Sequence, residues 1–109
     1  MDSKVLRTWA NRREFRYSGS VASGTDIEFG KGFRYKASVR ADEYGRLLEH
    51  FANRGEVPMG TAFVNRPENS VGQWLADHVT KTAIASYVGP ILIEEGYAKR
   101  GGESDLIQF

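Results

Sequence analysis

Residues 80–100, T-K-T-A-I-A-S-Y-V-G-P-I-L-I-E-E-G-Y-A-K-R, constrain the fold more than any other stretch. Ile84, Tyr87, Val88, Ile91 and Leu92 fall at i, i+3, i+4, i+7 and i+8, which lays one apolar stripe along a helix. Each such side chain stabilises by about 1.5–3 kcal/mol when fully buried, so this stripe belongs to the core. Thr80 is the predicted N-cap, since its hydroxyl can accept from a first-turn amide. Gly96 is the predicted stop. Pro90 has no amide to donate to the Ser86 carbonyl, so the helix is expected to be kinked or broken at Gly89-Pro90, or to restart at Pro90 as a first helical residue.

Beyond Gly96 the pattern changes. Tyr97-Ala98-Lys99-Arg100, then Gly101-Gly102-Glu103-Ser104, then Asp105 to Phe109 reads as strand, turn, strand, with the glycine pair expected to supply positive φ. A helix ending in L-x-x-x-G-Y-A-x-R followed by a hairpin resembles the recognition helix and wing of winged helix-turn-helix proteins. The resemblance covers residues 41–109 and names no narrower family.

The upstream elements fit that order. Ala41 to Arg54 is a predicted helix with Tyr44, Leu47, Leu48 and Phe51 on its buried stripe and Asp42 and Glu43 near its N-terminus. Residues 56–64 read as an extended segment that Pro58 confines to an edge or bend. Asn69 or Ser70 caps a helix from Val71 to Val79, with Val71, Trp74, Leu75 and His78 as its inward candidates. Thr80-Lys81 is then a tight corner, and two helices joined so closely match a helix-turn-helix.

The first forty residues read differently. Asp2 or Ser3 caps a short helix carrying Val5, Leu6 and Trp9, or this end is a loosely packed arm. Arg13 to Ser18 alternates as a strand with Phe15 and Tyr17 on one face, and residues 19–24 are a loop. Residues 25–29 and 33–39 flank a Gly30-Lys31-Gly32 turn. With Lys31 at the tip, Phe29 faces Phe33, Glu28 faces Arg34, Ile27 faces Tyr35 and Asp26 faces Lys36. One face is then apolar and the other ion-paired, which uses Arg34 and Lys36 internally.

These elements predict an α+β fold: one small domain over residues 1–109, with a winged-helix-like core over 41–109 and an added antiparallel β-hairpin within 1–40. The alternative is a single larger sheet joining residues 14–39 to 57–64.

Composition narrows the function classes. The chain has 109 residues, no cysteine and two histidines. Thiol catalysis, thiolate metal sites and disulfides are excluded, and no metal-ligand spacing is present. No apolar run approaches the ~20 residues of a membrane span, and the start lacks a signal-peptide pattern, so a cytoplasmic protein with no membrane partner is expected. Residues 1–40 carry nine Lys and Arg against four acids, whereas residues 41–109 carry six against ten. The winged part is thus the acidic part, which counts against simple duplex binding.

Two readings compete for the candidate residues. In the first, the chain is a nucleic-acid-associated regulator or accessory factor. Arg12, Arg13 and Arg16 lie among Trp9, Phe15 and Tyr17, a mixture that can track a backbone and stack bases, although the plainer reading makes the aromatics core and the arginines solvated. Lys81, Thr82 and Ser86 would face outward from the last helix, and Lys99 and Arg100 from the wing. In the second, a protein-interaction module or homodimer uses the small-residue face of that helix, Ala85, Ser86, Gly89 and Ile93. No catalytic constellation assembles: Asp77 and His78 are adjacent on a helix and diverge, Ser70 lacks a nucleophile-elbow context, and Gly30-Lys31-Gly32 precedes no helix. A non-enzymatic binding protein without cofactor is therefore expected.

Overall fold

The apolar stripe does form the central helix. A computed structural model describes residues 3–62 and 64–109, and α3 spans Ala85–Glu94. Ile84, Val88, Ile91 and Leu92 are buried, and the half-buried Tyr87 packs its ring 5.1 Å from Phe15 and 4.6 Å from Phe29. The helix starts later than the N-cap signal at Thr80 predicts. The amides of Val79 and Thr80 both return to the Leu75 carbonyl, so this segment closes the preceding helix instead. The Thr80 hydroxyl accepts from the Thr82 amide within the corner. The far end is set by Gly96 at φ +85°, with Gly96 N–H bonded to Ile93 O and Tyr97 N–H to Leu92 O. This is the Schellman pairing, which satisfies two orphan carbonyls.

Pro90 does not break α3. The Ser86 carbonyl that it leaves unpaired accepts instead from the Trp9 amide at 3.0 Å. A proline in a helix interior normally costs about 3 kcal/mol, in part through that lost bond. Here an external donor takes the carbonyl. Gly89 provides the space: a Cβ there would fall 2.8 Å from Trp9 Cε3 and 2.7 Å from Met59 Cε.

The N-terminal end is a four-stranded antiparallel meander, which contains the expected strand near 13–18 and the expected hairpin within 25–39, and in which the segment read as a short helix or an arm is a further strand. Its strands are β1 Ser3–Arg7, β2 Glu14–Ser20, β3 Gly24–Phe29 and β4 Tyr35–Val39, in sequential order. Asp2 lies outside the described residues, and Ser3 begins a strand, not a helix. The alternation of β2 and β3 sends Phe15, Tyr17, Thr25 and Ile27 inward. The β3–β4 register is Phe29 to Tyr35, Glu28 to Lys36, Ile27 to Ala37 and Asp26 to Ser38, two residues from the expected pairing. The reason lies in the loop. Residues 31–33 form a 3-10 turn closed by Phe33 N–H to Gly30 O, with positive φ at Gly30, Gly32 and Phe33, so Phe33 and Arg34 never enter the strand. A slip of two keeps each side chain on its face but changes its partner. Glu28 is bonded by Arg16 at 2.8 Å, and Asp26 accepts from the Ser38 hydroxyl at 2.7 Å.

Two further helices and a small second sheet complete the fold. α1 spans Ala41–Phe51 and buries Tyr44, Leu47 and Phe51; Glu43 reaches back to the Arg40 amide at 2.9 Å. It ends at Phe51 rather than Arg54, because Ala52 is extended and Asn53 and Gly55 take positive φ. α2 spans Val71–His78, with Ser70 as the cap that accepts from Gln73 N–H. Val71, Trp74 and Leu75 are buried, whereas His78 is exposed.

The second sheet has the order β5-β7-β6, from Glu56–Pro58, Leu106–Gln108 and Lys99–Arg100. It is separate from the meander, so, among the described residues, 14–39 do not pair with 57–64. The strand expected over 56–64 stops at Pro58, and Phe63 lies outside the described residues. Gly101 and Gly102 do not supply positive φ. Their smallness serves contact instead: a Cβ on Gly101 would fall 2.7 Å from Leu106 Cβ, and the Gly102 amide donates to the Glu56 carboxylate.

The two halves meet on α3. The Glu95 carboxylate at its end accepts from the Tyr17 hydroxyl at 2.8 Å and the Val21 amide at 2.9 Å. Burial and the Glu95 charge push the Tyr17 phenol well above its ordinary range, so it remains the donor. The fold is thus α+β, a small domain of mixed helices and antiparallel sheets. The Gly89→Ala variant should lose about 1–3 kcal/mol of stability through overpacking against the Trp9 ring. Chemical denaturation of the variant beside the parent measures that loss.

Candidate functional site

The β1–β2 connection is anchored both within itself and to distant segments. Its turn is closed by Thr8 N–H to Arg13 O and Asn11 N–H to Thr8 O, with Asn11 at φ +62°. Asparagine tolerates this conformation better than most residues. The Arg7 guanidinium bonds both the side-chain and main-chain oxygens of Asn11. The turn drives Trp9 inward while leaving Ala10 to Arg13 at the surface.

Trp9 then binds three other segments. Its amide takes the Ser86 carbonyl of α3, and its indole N–H donates to the Ser104 carbonyl at 2.8 Å. Its own carbonyl accepts from Arg100 Nη2 at 2.8 Å, and the Arg100 guanidinium lies 4.0 Å from the centre of its ring. Stacking of this kind is worth about 0.5–2 kcal/mol, more as it is desolvated. Beside this junction opens a cleft of about 740 Å³, reached by Asn11 and Arg12 from the tip, Thr61, and Arg100, Ser104 and Asp105 from the β6–β7 segment.

The candidate cations divide accordingly. Arg12 and Arg100 come together at the cleft. Arg13 is exposed on the same tip and within electrostatic reach of the Tyr87 hydroxyl. Arg16 lies on the outer face of the meander, bonded to Glu28 and stacked 4.8 Å over Phe33, so it is used internally. Lys81 and Thr82 are exposed in the corner before α3 and do not line the cleft, and Lys99 is exposed on β6. The aromatics among the arginines, Trp9, Phe15 and Tyr17, are buried and have no face for a base.

The expected outward face of the last helix is not outward. Ala85 is 3% exposed and Gly89 is buried against Trp9 and Met59. Ser86 and Ile93 are half-buried, with the Ser86 carbonyl already taken. Trp9 of the β1–β2 turn and Met59 close on the side that a recognition helix would present. A helix enclosed in this way cannot enter a major groove, which must admit its whole width.

A second group of titratable residues lies between α1 and α2. Trp74 is flanked by His78 at 4.6 Å and His50 at 6.2 Å between ring centres. Desolvation, then the charges of Arg54 and His78, hold the His50 imidazole below its ordinary value of 6.5. Among the described residues no three histidine or carboxylate side chains converge on a position that could hold a metal ion.

Because the native state favours neutral His50, the unfolded chain binds more protons as pH falls through 6.5. The associated stability is present above that value and is lost as pH drops through the lower native value. Thermal melts between pH 7.5 and 5.5 should show the decline, and His50→Gln should make it shallower.

No protein-family model matches the chain, and no curated protein or solved structure matches it either.

Proposed function

We propose that the chain is a small, non-enzymatic, cytoplasmic nucleic-acid-associated protein. In this reading residues 41–109 are a winged-helix-like frame, and the protein holds the nucleic-acid backbone without reading bases through its third helix. The order α1, β5, α2, α3, β6, β7, with β5 and β6 flanking β7, supports the frame. The observation that carries the binding role is the β1–β2 tip. It holds Arg12 and Arg13 exposed, neither with an ion pair among the described residues, beside an Arg100 fixed over Trp9. Backbone binding needs fixed cations more than it needs an exposed helix, because phosphate neutralisation supplies most of non-specific affinity.

A second reading is a protein-interaction module or homodimer. The enclosure of α3 favours it, and so do large apolar side chains exposed on both edge strands of the meander, Val5 at 51% and Tyr35 at 58%. Such an interface would use those edges, since Ala85 and Gly89 are buried, Gly89 against Trp9 and Met59.

Fluorescence anisotropy with a random duplex and a single strand, at 50 and 200 mM salt, separates the two. The first reading predicts micromolar binding that falls steeply with salt. Absence of binding at the lower salt contradicts it and leaves the interaction module.

A further inference from the structure

The cleft beside Trp9 has properties that the general backbone-binding role does not require. It is open, large compared with the roughly 30 Å³ that one water occupies in the liquid, and bordered by two arginines from distant parts of the sequence. We propose that this cleft is a phosphodiester seat, with Arg12 and Arg100 as its cationic contacts. The inference rests on the nucleic-acid reading above and gives it a location.

Arg100 is pre-organised. Its guanidinium is held by the Trp9 carbonyl and by the Trp9 ring, so little rotamer freedom remains to be lost on binding. One hydrogen bond uses only part of its five-donor fork, and the other donors have no partner among the described residues. Arg12 sits on a turn that Asn11 and Arg7 lock from within, and it makes no ion pair among the described residues. Two arginines that line one cleft from separate segments suit a tetrahedral oxyanion, which accepts from several directions.

Charge selects the type of phosphate. Asp105 also lines the cleft, so its charged side chains are two cations and one anion. That balance matches one negative charge. A diester within a nucleic-acid backbone carries one, whereas a monoester or inorganic phosphate carries more at neutral pH. Thr61 and Ser104 add neutral polar residues to the lining. Trp9 is buried beneath Arg100, so the seat offers no base stacking and no sequence preference.

The test uses a fluorescent single-stranded oligonucleotide and, separately, inorganic phosphate. Trp9 emission is followed in a Trp74→Phe background, since the chain has two tryptophans. Arg12→Gln should weaken oligonucleotide binding at 50 mM salt about tenfold or more and lower the salt slope by about one. Lys36→Gln, on β4 of the meander, should change neither. Arg100→Lys should weaken binding too, with circular dichroism showing that the fold is kept.

If Arg12→Gln binds the oligonucleotide like the parent, the seat is refuted while the nucleic-acid reading stands. If only inorganic phosphate shifts Trp9 emission and Arg12→Gln removes that shift, the cleft is a phosphate site for small molecules, and both the diester assignment and the nucleic-acid reading fall. If neither probe binds, seat and reading fail together.

Discussion

The structure depends on one hydrogen bond between two places where the local rules fail. Pro90 leaves the Ser86 carbonyl without its intrahelical donor, and the tight turn at Thr8–Arg13 leaves the Trp9 amide pointing away from its own hairpin. Each group alone would be an unsatisfied polar atom near the core, costing about 1–3 kcal/mol. Together they satisfy each other. Gly89 opens the slot that lets the indole close over the helix. This pairing holds the N-terminal meander against α3 at one end, and Glu95, bonded to Tyr17 and Val21, holds it at the other.

That arrangement decides what α3 can do. In isolation its sequence has small residues on one face, which suits groove entry or close association with another chain. In the folded chain Trp9 and Met59 close on that face at Gly89, while the aromatic side of the meander packs on Tyr87 elsewhere on the helix. The proposed binding role therefore rests on the loop that covers the helix. The loop that buries Trp9 also displays Arg12 and Arg13, and the same indole fixes Arg100. A packing anchor and a candidate cation site are thus one structure, and any substitution at Trp9 acts on both.

Much of the fold was legible in local pattern. The stripes of α1 and α3, the Ser70 cap, the Gly96 stop and the alternation at Phe15 and Tyr17 all follow from periodicity and capping chemistry. What failed were features decided by partners distant in sequence. β1 has a mixed pattern that reads equally as a short helix, and pairing with β2 decides it. The β3–β4 register depended on Phe33 adopting positive φ, which is unusual for a bulky residue. Arg12 and Arg100 were visible as candidates, but nothing local joined them. The available clue was the awkward Gly89-Pro90 pair: a helix that keeps an internal proline needs an outside donor and room for it. Asp105, Thr61 and Ser104 had no signal, because they enter only once the tip has docked.

The central claim is that Trp9 locks the meander onto α3. Hydrogen exchange on the Trp9→Ala variant tests it most directly. The account predicts that protection falls together in β1, the β1–β2 tip and the first turns of α3, while α1 and the β5–β7 pairing keep theirs. If α3 and the tip retain parent-like protection, Trp9 is an ordinary core residue, and both the enclosure of the helix and the fixing of Arg100 need another cause.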